Sequence, residues 1–506
     1  SETGLGIFSL TAGITDRAEA LEVLRANTVW CCGLDEFRVH LSLDTVEAFR
    51  HGRVLNESHL LDGARGNYLI SGNIELDQNQ SSTWFLMGDT GRDHMQISEL
   101  RQQILAGTDL STSISSALSQ ATVNLRRNVA SADGLQMSGR PESLTHHLAN
   151  VLFNNMRGGV FSNNYQLPVA DLLDFLTVRN KQVRLRVEEL LGTLADELSI
   201  QELHELARRS GDIDFQRLCH EYLPLHFGRR HGDPSRPWNR FSINVKEPNG
   251  ERALRYEGNW RDIFQNWEAL STSFPGFLPN LVAKFVNAST VDGFNPYRIN
   301  RDGVDWEVVK PEDMWSNIGY WGDHQIIYLL KLLEAWKSHD PSGIENVLNE
   351  SIFSYVEVPY RIKPYADIVV NPSDTIDFDS EKNQRLTRRV DEFGTDGKLL
   401  MASAGQVHHA NLLEKLLVPA LAKLSNLVPD GGIWMNTQRP EWNDANNALA
   451  GGGVSVVTLN YLRRYMAFLA ELLVDCENES LPVATEIVAW LEGILSGLKD
   501  GLRLLS

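Results

Sequence analysis

Cysteine is scarce. Cys31, Cys32, Cys219 and Cys476 are the whole complement in 506 residues, too few for a disulfide framework and without the paired spacing of a structural zinc site. A reducing, cytoplasmic setting is the expectation. Long apolar runs are also missing: the segment 487–495 carries Glu492 at its middle, and nothing approaches the roughly 18 apolar residues of a membrane span. Positive charge is in the minority, 47 Lys and Arg against 66 Asp and Glu for a net −19. Such a surface repels polyphosphate and anionic lipid, which argues against nucleic acid and membranes as partners. The opening Ser1-Glu2-Thr3-Gly4 has neither the basic nor the apolar stretch of an export signal. The five Asn-x-Ser sites, at Asn56, Asn79, Asn287, Asn349 and Asn478, are of a kind that chance produces at this length. No repeat of 30–50 residues recurs, so a solenoid is excluded.

What is present is the composition of an ordinary globular protein: 42% hydrophobic residues, 12 Trp and 38 Gly, with length for two to four domains of roughly 100–200 residues. Residues 27–32, 37–43, 67–76 and 83–87 are short runs rich in Val, Ile, Tyr, Trp and Thr between Gly, Asn and Asp turns, and read as strands. From Gln96 the apolar period changes to helical, with Ile97, Leu100, Ile104 and Leu105 on one face. Helical patterns then recur at 146–155, 169–176, 187–194, 263–270, 277–286, 326–336, 412–427, 454–473 and 484–498. The expected organisation is a β-sandwich portion over 1–92, a helical linker over 93–140 and a helical domain over 141–506. Residues 359–403 lack a clear period and carry Asp and Arg runs, as in a partly ordered lid or a solvated excursion.

Two segments concentrate Trp, Arg and carboxylates beyond what a core needs. One is Leu254-Arg255-Tyr256-Glu257-Gly258-Asn259-Trp260-Arg261-Asp262 and on to Trp267; the other runs from Trp434 through Glu441-Trp442-Asn443-Asp444 to Asn447. Sugars offer an apolar ring face and a rim of hydroxyls, so their sites pair stacking aromatics with fixed carboxylates, Arg and amides. A plainer account has Arg261 and Asp262 as an exposed ion pair and Asp444 as a helix cap. His408-His409 is expected on a helix surface or in the core. Gly451-Gly452-Gly453 lacks the Lys and Ser/Thr of a phosphate-cradling loop, and no metal-ligand spacing occurs.

Taken together, Arg255 with Trp260-Arg261-Asp262, the approach Pro237-Trp238-Asn239-Arg240-Phe241, Trp321-Gly322-Asp323-His324 and Glu441-Trp442-Asn443-Asp444 after Gly431-Gly432 resemble the motifs of the cellobiose and chitobiose phosphorylases, the inverting enzymes of glycoside hydrolase family ninety-four. The likeness covers roughly residues 80–475. It implies an (α/α)6-type helical barrel preceded by a β-sandwich portion and helical linker. It also implies that Asp444 is the general acid, that Arg261 and Asp262 hold the donated sugar, that Asp323, Trp260, Trp442 and Glu441 line the substrate, and that Arg255 faces phosphate. Oligosaccharide and inorganic phosphate would be the substrates, with no other cofactor. Glu441 stands where the family has Asp, and Ala445-Asn446 where it has Gly-Met, so acceptor specificity does not carry over. Only 62 residues follow Asp444, where the family continues further. The resemblance therefore implies a barrel completed by more chain, by a second chain or by a homodimer.

Inverting cleavage needs a protonated acid at the leaving oxygen and a nucleophile on the opposite face. Phosphate is already an anion and needs placing, with no base to activate it. An inverting hydrolase on the same scaffold would instead use a second carboxylate, with Glu441, Asp323, Asp313 and Glu257 available. A third reading is a carbohydrate-binding protein without turnover.

Overall fold

The computed structural model describes residues 2–9, 12–13, 21–22, 25–107, 110–131, 134–157, 159–226, 253–296, 298–306, 320–321, 325–371, 374, 376–403, 405–434, 453–475 and 480–505. Helix predominates, with strands concentrated near the N-terminus and short pairs elsewhere. The chain divides into two compact units, Ser1–Arg126 and Arg127–Ser506.

In the first unit, strands β1 (Gly6–Ser9), β2 (Ala26–Cys32) and β5 (Phe85–Arg92) form an antiparallel sheet in the order β1-β2-β5, and β3 (Arg38–His40) pairs with β4 (Leu69–Ser71). Ala26, Thr28 and Trp30 are buried in alternation, the period-2 signature of a strand with one covered face. Helix α1 (His94–Leu105) starts at a capping box in which Asp93 and Gln96 exchange side-chain and backbone hydrogen bonds. Helix α2 (Leu110–Ser131) follows and continues past the unit's last residue, Arg126, and Trp30, Leu100 and Ile114 form the unit's core.

The second unit is built on α3 (Pro141–Arg157), α4 (Val169–Arg179), α5 (Ile200–Ser210), α6 (Ile213–Glu221), α7 (Trp260–Ser273), α8 (Leu278–Asn287), α9 (Gln325–His339), α10 (Ser380–Phe393), α11 (Leu412–Leu424), α12 (Val456–Asp475) and α13 (Thr485–Leu505). A large core runs through it, with a second, smaller cluster of Tyr355, Ala410, Val418, Leu421 and Ile487 beside it. Along α8, Leu278 and every residue from Asn280 to Asn287 are buried, as befits a helix enclosed on all sides. Helix α9 packs against α7, α8, α11 and α12, which makes it the hub of the unit. No helix among the described residues is long and apolar enough to cross a membrane.

In the aperiodic stretch 359–403, expected as a partly ordered lid or a solvated excursion, the described residues form regular elements. Strands β9 (Tyr360–Ile362) and β10 (Ile376–Phe378) pair, a short helix Tyr365–Val370 lies between them, and α10 follows, capped by Asp379. Leu386 is the one buried residue of α10, so the helix has no apolar stripe to betray it. A 3-10 turn, Thr395–Lys398, then carries Asp396 into the interior. Gly394 makes the approach possible: its φ is +97°, and a Cβ there would stand 2.5 Å from the Val178 carbonyl oxygen.

Candidate active site

The first candidate segment is held by a three-stranded sheet. Strand β6 (Glu257–Asn259) pairs with β7 (Arg298–Asn300), which pairs with β8 (Gly303–Asp305). Glu257 opposes Asn300, and Asn259 opposes Arg298. Arg298 donates to Glu257 at 2.8 Å, and Asn300 donates to Asp305 at 2.9 Å. Lys398 donates to the Val304 carbonyl at 2.8 Å and to Asp305, with its ammonium 5.0 Å from the centre of the Trp306 ring. Glu257, offered by sequence as a water-activating base, is thus an ion-pair partner of Arg298.

Directly from β6 the chain enters α7 at Trp260, which puts Trp260, Arg261 and Asp262 in the helix's first turn. Their side chains lie outside the described residues. Arg255 is half-buried just before the sheet. Two aromatics of this segment belong to the core. Trp267 is fully buried and meets the Phe264 ring edge-on at 5.0 Å, and the buried Tyr256 ring at 5.3 Å. Trp267 therefore fills the interior, and the sugar-stacking role that its sequence neighbourhood suggested does not apply to it.

Asp323, Glu441, Trp442 and Asp444 lie outside the described residues, but the chain on either side of them is placed. Tyr320–Trp321 pairs with Asn295–Pro296, and α9 begins at Gln325, so Asp323 sits in sequence at that helix's entrance. Gly432–Trp434 pairs with Val454–Ser455, with Trp434 opposite Val454, and α12 follows at once. The ends of the segment bearing Glu441 to Asn447 are therefore hydrogen-bonded to each other. All three candidate segments lead into helices α7, α9 and α12, and α9 packs on both of the others.

Sequence reasoning missed a buried ionic cluster. Arg179 reaches Glu221 at 2.7 Å and Asp396 at 3.0 Å, while Arg217 reaches Glu221 at 3.1 Å and also Asp396. Asn180 donates to Asp396 at 3.1 Å, and Asn287 donates to Glu221 at 2.9 Å. Burial opposes the Glu221 charge, but the Arg179 and Arg217 guanidinia prevail and hold its carboxyl at about 2. The available signal was Arg179 on the same face of α4 as Leu172, Phe175 and Leu176, and Arg217 between Phe215 and Leu218, each a charge in an apolar stripe. A cavity of about 20 Å³, the space of one water, borders Arg179, Glu221, Lys284, Asn287 and Lys398.

His409 is likewise corrected. It lies in a short strand opposite Ser354, not on a helix, with Nε2 3.2 Å from Asp214. His204 and His220 stack face to face, ring centres 4.4 Å apart, on the α5–α6 hairpin.

Lys284 adds a pH dependence. It is buried in α8, and desolvation first, then Arg179, depress its ammonium to about 7 against the pull of Glu221. Above that value the unfolded lysine still binds its proton while the folded one does not, so stability rises from pH 7 towards 10.5. Lys415, also depressed by burial, acts in the same sense. Burial raises the Cys219 thiol and so opposes the trend only at higher pH. Between pH 7 and 8.5 Lys284 should contribute a rise on the order of 1–2 kcal/mol. In Lys284→Met, denaturation midpoints at the two pH values should differ by that much less than in the unsubstituted protein; an unaltered pH slope would show that Lys284 titrates normally.

The comparisons with known proteins point to a carbohydrate-active protein of glycoside phosphorylase or hydrolase type. Residues 161–224 match the model of Glycoside hydrolase family 149 insertion domain 1, from a glycoside phosphorylase-type family. No curated protein matches the chain. The matched segment spans α4, α5 and α6, and its ends are closed by the pairing of Val160–Phe161 with Leu225–His226. It is not a separate body, because Phe161 stacks on Phe277 at 3.8 Å, and Asn280 donates to the carbonyls of Cys219 and Tyr222.

Proposed function

We propose that the chain carries the catalytic machinery of an inverting glycoside phosphorylase that cleaves a β-glycosidic bond of a gluco-oligosaccharide with inorganic phosphate. The helices of the second unit are then the inner and outer members of an (α/α)6-type barrel. The observation that carries the reading is the arrangement of the three motif segments, each leading into one of three helices that pack through α9. The phosphorylase-type family match over 161–224 supports it independently.

In this reading Arg261 and Asp262, at the N-terminus of α7, hold the donated sugar, and Asp323, Trp260, Glu441 and Trp442 line the remainder. Asp444 gives its proton to the leaving oxygen as the glycosidic bond breaks, while a phosphate oxygen forms the new bond to the anomeric carbon from the opposite face. The products are a sugar 1-phosphate of inverted configuration and an oligosaccharide shortened by one unit. Arg255 places the phosphate, its planar fork matching two phosphate oxygens. A cytoplasmic setting supplies phosphate and keeps Cys31, Cys32 and Cys219, all free thiols, reduced.

The test is release of sugar 1-phosphate from β-linked gluco-oligosaccharides with and without phosphate, and synthesis in reverse from sugar 1-phosphate plus acceptor. Arg255→Lys keeps the charge and loses the fork, so the KM for phosphate should rise about tenfold or more while oligosaccharide affinity changes little. Free sugar released at full rate without phosphate would establish the hydrolase, and sugar binding without turnover the non-catalytic protein.

A further inference from the structure

A buried relay connects the matched segment 161–224 to the strand that leads into α7. Arg301, immediately after β7, donates its backbone N–H to the Tyr256 carbonyl at 3.0 Å, adding a rung beyond the β6–β7 ladder. The Arg301 carbonyl accepts from the Lys284 ammonium at 2.9 Å. Its guanidinium donates to both the carboxylate and the carbonyl of Asp171, each at 2.9 Å, and touches Asp174 and Asp302 at 3.0 Å. The second Asp171 oxygen accepts from the Tyr222 hydroxyl at 2.7 Å. Arg301, Lys284 and Tyr256 are all at least 97% buried, so the bonds among them work in a low dielectric with little water to replace them, while Asp171, 19% exposed, joins them from the partly covered side.

We propose that Asp171 and Arg301 are positioning residues, through which the 161–224 segment sets the backbone that bears Arg255. The inference rests on the phosphorylase reading for its kinetic consequence and on geometry alone for its structural one. Tyr256 is the neighbour of Arg255, and a misplacement of about 1 Å in a group that orients a reactant is enough to cost roughly a hundredfold in rate. A segment that carries none of the proposed substrate-binding residues thereby controls the phosphate subsite. This gives the matched segment a task in the reaction beyond filling volume.

Asp171→Asn tests the relay with almost no change in shape, and Arg301→Lys tests it from the other side. The expected result is a five- to twentyfold rise in the KM for phosphate, with affinity for oligosaccharide in the absence of phosphate within about threefold and the melting temperature within a few degrees. Hydrogen exchange should quicken at the amides of 256–259 and stay unchanged in α11. Asp171→Glu, which keeps the charge, should recover part of the KM. An unchanged KM together with unchanged exchange overturns the proposal, as does a uniform loss of stability with exchange rising throughout. If the unsubstituted protein makes no sugar 1-phosphate, the phosphorylase reading fails by itself. The relay is then judged on exchange: local quickening at 256–259 in both variants upholds it, and its absence overturns it.

Discussion

Asp444→Asn should lower turnover of β-linked gluco-oligosaccharides by roughly 10²–10⁴-fold or more while the protein keeps its melting temperature. Asparagine has the shape of the aspartic acid and no proton to give, so the sugar oxygen of the leaving group would depart as an alkoxide. Nothing else in the proposed scheme supplies that proton, because phosphate enters as an anion and has its own task. An acid in this role must stay protonated near neutral pH. The origin of the loss can be checked with a donor whose leaving group needs no protonation, such as a glycosyl fluoride. On that donor the variant should recover most of its deficit. A uniform deficit on both donors would make Asp444 a binding residue, and near-normal turnover would remove it from the site.

The part of this protein legible in sequence is the part whose stability comes from apolar periodicity. Residues 27–32 and 169–176 read as a strand and a helix and are found at Ala26–Cys32 and Val169–Arg179, because each buries one face against the core and the pattern records it. The segment 187–194 reads as a two-turn helix but holds only the four-residue helix Glu188–Leu191, which follows the separate short helix Lys181–Arg186. Helix α10 was invisible for the opposite reason. Its one buried side chain is Leu386, and what fixes it is polar: the Asp379 cap, and Arg389 donating to Glu357 and to the carbonyls of Gly397 and Leu399. The cap and the bonds to Gly397 and Leu399 are local but leave no apolar period to read, and Glu357 lies 32 residues from Arg389. Site chemistry divides in the same way. Residue type marked 254–267 as unusual, yet it could not tell that Trp267 is core while Trp260 opens a helix, since both are Trp beside Arg or Asn. The order of the three motifs was legible, and so was the place of Trp260-Arg261-Asp262 in the first turn of a helix. The relay from Asp171 to Tyr256 was not, because it spans well over a hundred residues and its members are ordinary in their own neighbourhoods.

Asp396→Ala should destabilise the second unit by roughly 3–5 kcal/mol, the cost of breaking a buried ion pair by removing one partner. The cluster holds two guanidinia and two carboxylates in mutual contact, with Arg179, Arg217 and Asp396 each 0–3% exposed in their side chains and Glu221 4%. These four charges sum to zero, and Arg217 also lies 3.6 Å from Asp214. Without Asp396 the two buried guanidinia keep only Glu221 and that longer contact as counter-charges, and arginine cannot shed its charge by losing a proton. The loss reaches beyond the cluster, because Asp396 docks the whole 359–403 excursion on α4 and α6. The same turn also supports β8, where Thr395 donates to the Asp302 carbonyl at 2.5 Å and Lys398 to that of Val304. Since a domain is stable by only about 5–15 kcal/mol, a single carboxylate near residue 396 commands a large share of the total. Removing a charge of each sign restores balance: Arg217→Met combined with Asp396→Ala leaves Arg179 with Glu221, so the double variant should lose clearly less than the two single losses added. The acid limb has a sign of its own. Glu221, held at about 2, contributes stability that is fully present above the ordinary carboxylate range and disappears as pH falls from about 4.5 towards 2. Denaturant unfolding of the four species at pH 7 and pH 4 measures both effects. Additive losses at pH 7 would mean that the four charges act independently, and an Asp396→Ala cost below about 1 kcal/mol would mean that solvent reaches the cluster.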